Sequence, residues 1–138
     1  MHRREFIAEV ILKIFNKPGY ARLVYLMISI PAFRTMALSF PGITEQPHFE
    51  KTSFRIRKKI FATMDEKTHI AVLKLSLIDK SVFCAIDKAM IYPAEGGWGK
   101  HGWTKAELKK ISRQLLKDLL TTSYCLVAPA QLSKKYKA

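Results

Sequence analysis

The chain predicts an α+β fold in two layers, one antiparallel sheet with helices packed on it. Three observations carry this. Residues 52–75 hold three short segments in succession that alternate or run apolar over strand lengths. Residues 29–40 and 76–86, on either side of that run, place their apolar side chains at helical spacing. After Arg113, the side chains of Leu115, Leu116, Leu119, Leu120, Tyr124 and Val127 recur with a helical period. Three consecutive antiparallel strands form a meander with one face free for helices. At 138 residues the chain is long enough for one domain with one core.

Residues 1–16 space Phe6, Ile7, Val10, Ile11, Ile14 and Phe15 as an amphipathic helix, and Asn16-Lys-Pro-Gly19 turns the chain. Residues 20–30 are apolar but interrupted by Arg22 and too short to span a bilayer. No small-residue cleavage pattern follows the basic start, so a signal peptide is not indicated. Residues 1–26 are expected to be a helical extension outside the domain, residues 27–132 the domain, and residues 133–138 a basic, solvated tail. Intact mass spectrometry of the native protein would test whether the extension is present.

In the domain, Ser29 is the expected cap of a first helix, with Pro31 in its first turn and Phe33, Met36, Ala37 and Phe40 as its apolar stripe. Pro41-Gly42 ends it, and residues 43–51 read as a loop. Residues 52–57 alternate, with Phe54 and Ile56 on one face and Ser53, Arg55 and Arg57 on the other. Lys58-Lys59 is the expected link to a second strand at 60–64, an unusual turn because neither residue favours positive φ. The third strand, 69–75, turns Ile70, Val72 and Lys74 to one side. Ser76 opens a helix with Ile78, Val82, Phe83 and Ile86 as its buried side. A short strand at 89–92 precedes a loop rich in glycine and tryptophan. After it, Thr104-Lys-Ala-Glu107 has a capping-box pattern, while residues 102–108 suit a hairpin strand equally well. Pro129 closes the last helix.

That loop, Tyr92-Pro-Ala-Glu-Gly-Gly-Trp-Gly-Lys-His-Gly-Trp-Thr104, holds both tryptophans and four of the six glycines. Glycines permit positive φ and close backbone approach, and tryptophans anchor what they touch. The expectation is a specified irregular loop with Lys100 and His101 at its tip.

Lys and Arg number 24 against 11 Asp and Glu, a net charge of +13 with a pI near 9.9. Residues 1–26 carry five of the basic and two of the acidic residues, so the remainder keeps 19 against 9, or +10. The excess favours polyanionic partners. Cys84 and Cys125 suit buried thiols in a reducing cytoplasm, and no paired-cysteine or histidine spacing marks a metal site. His48, His69 and His101 lack ligand spacing, and Ser53 and Thr104 lack a nucleophile context. No catalytic residue, metal or cofactor is expected.

Several segments, in order and spacing, resemble the MmcQ/YjbR family over residues 30–132. They are Ala37-Leu-Ser-Phe-Pro-Gly42, Pro47-His-Phe49, Ser53-Phe-Arg55, Lys59-Ile-Phe-Ala62, Leu73-Lys-Leu75, Gly97-Trp-Gly-Lys-His-Gly-Trp103 and Ser123-Tyr-Cys-Leu-Val-Ala-Pro129. The resemblance implies a twisted antiparallel sheet of about five strands, related to the CyaY-like fold. It also implies a strand at 102–108 in place of the capping-box helix. Members, mostly bacterial, are described as DNA-binding through a "double wing" of strands and loops. Some relatives from antibiotic gene clusters are linked to drug sequestration.

The leading expectation is therefore a monomeric cytoplasmic protein that binds DNA backbone through two basic hairpins. Arg55, Arg57, Lys58 and Lys59 would form one wing, and Lys100, His101 and Lys105 the other. The alternative is a pocket for a small planar ligand, using Lys74, Trp98, Trp103 and His48. A protein–protein adaptor anchored by the aromatic loop is the third reading.

Overall fold

The computed structural model describes residues 28–137; the extension expected over residues 1–26 lies outside the described residues. A first helix, α1 (Ile30–Leu38), is capped by Ser29, whose hydroxyl accepts from the Ala32 N–H at 3.2 Å. Strands β1 (Thr44–His48), β2 (Lys51–Ile56), β3 (Lys59–Asp65) and β4 (Ile70–Lys74) follow. Helix α2 (Leu77–Cys84), strand β5 (Ile91–Pro93), the one-turn helix α3 (Gly97–Lys100) and strand β6 (Trp103–Glu107) come next. The chain ends in α4 (Arg113–Val127), α5 (Ala130–Ser133) and a 3-10 turn at Lys134–Tyr136. The strands form one antiparallel sheet in the order β1-β2-β3-β4-β6-β5. The fold is thus α+β, with six strands where five were expected.

Register decides which side chains meet the helices. Met64, Ala71, Ala106 and Ile91 lie opposite one another across four strands, and Phe54, Ala62 and Leu73 form a second row. All seven are fully buried on the helix-covered face. Between Phe54 and Arg55 the pairing skips a residue, so Phe61 is left without a partner and turns inward beside Ala62. Such a bulge sharpens the local twist. Phe61 gains an aromatic setting in return, edge-on to Phe40 at 6.1 Å and to Tyr124 at 6.1 Å.

Helix α4 closes the core over β3 and β4. Ser112 caps it by accepting from Leu115 N–H. Two polar groups on its buried side are satisfied by distant carbonyls: Ser123 Oγ donates to Phe61 O at 2.7 Å, and Tyr124 OH donates to Pro41 O at 2.7 Å. These bonds fix the helix against the sheet and against the end of α1, since a buried hydroxyl left unpaired is costly.

Four expectations are corrected. Residues 43–51 are not a loop: 44–48 form β1, an edge strand that is polar along its length and tolerates Pro47 because it is at the edge. The β2–β3 turn is Arg57-Lys58, one residue earlier than expected, since Ile56 pairs with Lys59. Ile78 is 54% exposed, because α2 settles on the sheet only by its later turns and Phe83 is its one fully buried residue. The tail is not wholly solvated: Tyr136 packs on Phe40 at 5.3 Å and on Tyr124 at 5.4 Å, and Ser133 is buried. The strand at 102–108 forms as the resemblance implied. Thr104 faces the core opposite Leu73, and burial of that face outweighs the local capping pattern.

Candidate functional site

Two features stand out: a cationic end of the sheet, and a cleft across the face that the helices leave open.

The antiparallel order brings the start of β3, the end of β4 and the start of β6 to one end of the sheet. The Arg57-Lys58 turn and the α3 loop therefore project from the same end. Three strand spacings separate them, about 14 Å at the usual interval between neighbouring strands. Arg57 and Lys58 both adopt positive φ, +47° and +71°, the geometry of a two-residue hairpin turn that normally takes Asn-Gly. Arg57, Lys58, Lys59, Lys100 and His101 are all exposed at this end.

The other two residues of the expected wings lie elsewhere. Arg55 turns onto the open face, where its Nε donates to Ser53 Oγ at 2.9 Å and its Nη2 lies 3.4 Å from His48 Nδ1. Lys105 sits mid-strand on the same face, opposite Val72 and Tyr92, and pairs with Glu95 at 3.3 Å. Glu95 is largely in water, so that ion pair contributes little.

The α3 loop is held by hydrogen bonds to its carbonyls. Lys74 Nζ donates to His101 O at 2.5 Å, Lys80 Nζ to Gly99 O at 2.7 Å, and Leu75 N–H to Gly102 O at 3.0 Å. Ammonium groups suit this position, because the C-terminal end of a helical turn carries partial negative charge. Trp103 beneath the loop receives Lys74 Nζ at 5.4 Å from its ring centre and the Trp98 ring edge-on at 6.4 Å. Trp98 is left 68% exposed.

The open face is a cleft of about 760 Å³. Ile60, Thr63 and Val72 form its floor, Trp103 and Lys105 one wall, and Trp98 the rim on that side. The opposite rim is the β1–β2 turn, with His48 and Phe49. Phe49 has φ of +58° and is 94% exposed, and the His48 ring meets it edge-on at 4.9 Å. Of the residues expected to line a ligand pocket, His48, Trp98 and Trp103 converge here, while Lys74 serves the loop beside it. Phe49, Ile60 and Val72 were not anticipated. The pair His48-Phe49 was visible in the sequence, but its position opposite the tryptophans depended on β1 being a strand.

On the same face, at the β5 edge, the Tyr92 hydroxyl donates to Glu107 Oε2. Burial raises the phenol to about 12, and the Glu107 bond and charge act in the same direction. Its folded value lies above the ordinary 10, so this contribution to stability is complete below about pH 10 and is lost as pH climbs towards 12. Tyr92→Phe is expected to remove a late step from the ultraviolet tyrosinate titration; an unchanged late step would assign it to another tyrosine.

Among the described residues, no cluster of His, Cys, Asp and Glu could hold a metal ion, and no helix is long and apolar enough to cross a membrane.

This is a small α+β domain that pairs a cationic sheet end with an aromatic-rimmed open face. Its fold is shared with the crystal structure of Deinococcus radiodurans protein DR2400, a DUF419 domain. That likeness has a TM-score of 0.67 at 21% identity and covers 80% of this chain and 88% of that one. The YjbR family model matches residues 38–126, well over half of the sequence, and the chain belongs to the YjbR family. No curated protein matches it.

Proposed function

We propose that this domain binds nucleic acid, gripping the phosphate backbone with the cationic end of its sheet. The observation that carries the reading is the shared direction of the Arg57-Lys58 turn and the Lys100-His101 loop. Both project from one end, about 14 Å apart, which is roughly four nucleotide rises along one strand. The domain's excess of basic residues adds a long-range attraction. Backbone strain gives further support: two non-glycine residues with positive φ cost about 1 kcal/mol or more each, and such strain tends to be kept where it serves a site. Phosphate contacts of this kind position a protein without reading sequence, so low sequence specificity is part of the reading. No catalytic role is assigned.

Fluorescence anisotropy with a labelled oligonucleotide across a salt series tests it. Four to six phosphate contacts predict a log–log slope of about −4 to −5 on a duplex and about −3 to −4 on a single strand. Absence of binding even at low salt would end the proposal.

The cleft favours a second reading, a site for a planar aromatic ligand. Its apolar floor and exposed rings at both rims suit a flat molecule, and its volume is within the usual range for such sites. Tryptophan fluorescence across a panel of planar compounds would respond if this holds and stay flat if it does not.

A further inference from the structure

We infer that the open-face cleft is a stacking site for unpaired bases, which makes the domain's ligand a single strand rather than a duplex. The inference rests on the nucleic-acid reading above and adds where the bases go.

Three features point to it. First, the two most exposed aromatic rings among the described residues, Phe49 and Trp98, sit at opposite rims of one cleft rather than scattered over the surface. The α3 loop that carries Trp98 is fixed by two lysines and a main-chain bond, and Phe49 is held outward at the tip of a two-residue turn. Large exposed aromatics on fixed backbone lose water on binding without a large ordering cost. Sheet faces that carry such rings are common platforms for successive bases, because every base presents a π-face.

Second, charge is divided in the way a single strand requires. The floor of Ile60 and Val72 is apolar, and the cleft's cations, Lys51 and Lys105, are matched by its carboxylates, Glu50 and Glu95. The lining charges cancel in number, and Arg55, beside His48 on the same face, is bonded to Ser53 Oγ; a neutral base suits the apolar floor better than a phosphate does. Four exposed cations, Arg57, Lys58, Lys59 and Lys100, stand outside the cleft at the sheet end, and Lys100 is two residues from Trp98. A strand that enters with its phosphates on that end beside Trp98, and runs with its bases turned onto the face towards Phe49 at the other end of β2, satisfies both regions together. A duplex has its bases paired and stacked already and could use only the first.

Third, the strand backbone of the floor spends its hydrogen bonds on neighbouring strands, so base edges find no main-chain donors or acceptors there and the polar groups of the lining are side chains such as Thr63 and Lys105. The cleft is accordingly expected to hold bases chiefly by stacking.

The test uses the full chain and labelled oligonucleotides of about twelve nucleotides, within the usual site size for such sheets. A single strand is compared with an abasic strand of equal phosphate number and with a duplex. The expected result is that the single strand binds roughly five- to a hundredfold more tightly than the abasic strand, the range of one or more stacked bases. Trp98→Ala and Phe49→Ala are each expected to abolish most of that difference while leaving abasic binding and its salt slope unchanged. Both side chains are exposed, so the variants should melt as the parent does. Equal affinity for single and abasic strands would overturn the stacking site and leave the phosphate reading standing. So would binding of free planar compounds that depends on Trp98 while strands show no base preference. Failure to bind any oligonucleotide would overturn both.

Discussion

Gly102→Ala is expected to lower the midpoint of thermal unfolding by roughly 15 °C or more. The residue has φ of +97°, and a Cβ built there would lie 1.9 Å from Leu75 O. That oxygen belongs to the backbone directly after β4 and cannot swing aside. Relief requires the α3 loop to lift, and lifting breaks the bond from Leu75 N–H to Gly102 O. It also disturbs the neighbouring carbonyls that hold Lys74 and Lys80. A lost main-chain bond, an unfavourable φ and an atomic overlap together cost about 3–5 kcal/mol, a large part of the stability of a small domain. Gly97→Ala is the control. Nothing lies within 4 Å of its Cβ position, so its midpoint should stay within a few degrees of the parent, about what a surface substitution produces. Calorimetry of the two variants decides it. Equal midpoints would mean that the loop yields freely at β4, and the fixed placement of Trp98 would lose its basis.

The elements that could be read from the sequence are those whose burial is written into local periodicity. The α1 stripe of Phe33 and Ala37, the alternation of Phe54 and Ile56, and the leucine spacing of α4 all correspond to buried faces. Strand β1 could not be read in this way. None of its residues is fully buried, and what makes it a strand is pairing with β2, a property of its partner more than of itself. The same reason hid the cleft. His48 and the tryptophans are about fifty residues apart in the chain, and they face one another only because β1 and β5 are the two edges of one twisted sheet. Two residues expected at the cationic corner, Arg55 and Lys105, lie on the open face instead. Alternation assigned Arg55 to the outer face, while whether it belonged to the tip or to the cleft depended on the turn falling at Arg57-Lys58. The capping pattern at Thr104 did not start a helix, whereas those at Ser29 and Ser76 did. The difference is the neighbouring strand, β4, against which Thr104 is paired.

The Arg57-Lys58 turn supplies the sharpest test of why this corner is built as it is. Replacing Arg57-Lys58 with Asn-Gly is expected to raise stability by roughly 1–2 kcal/mol while weakening nucleic-acid binding about ten- to a hundredfold at low salt. The gain follows from backbone alone. Both positions have positive φ, Asn and Gly accept that conformation more readily than Arg and Lys, and both side chains are exposed, so no packing is lost. The loss follows from charge alone: two cations leave the edge of the proposed contact, and the magnitude of the log–log salt slope should fall by about 1.4 on a single strand. Melting and anisotropy on the same variant read the two effects separately. If both change as described, the strained basic turn is held for binding at the expense of stability. A variant that is more stable and binds as the parent does would detach the turn from the interface. The cationic contact would then have to be sought at Lys100 and along the open face.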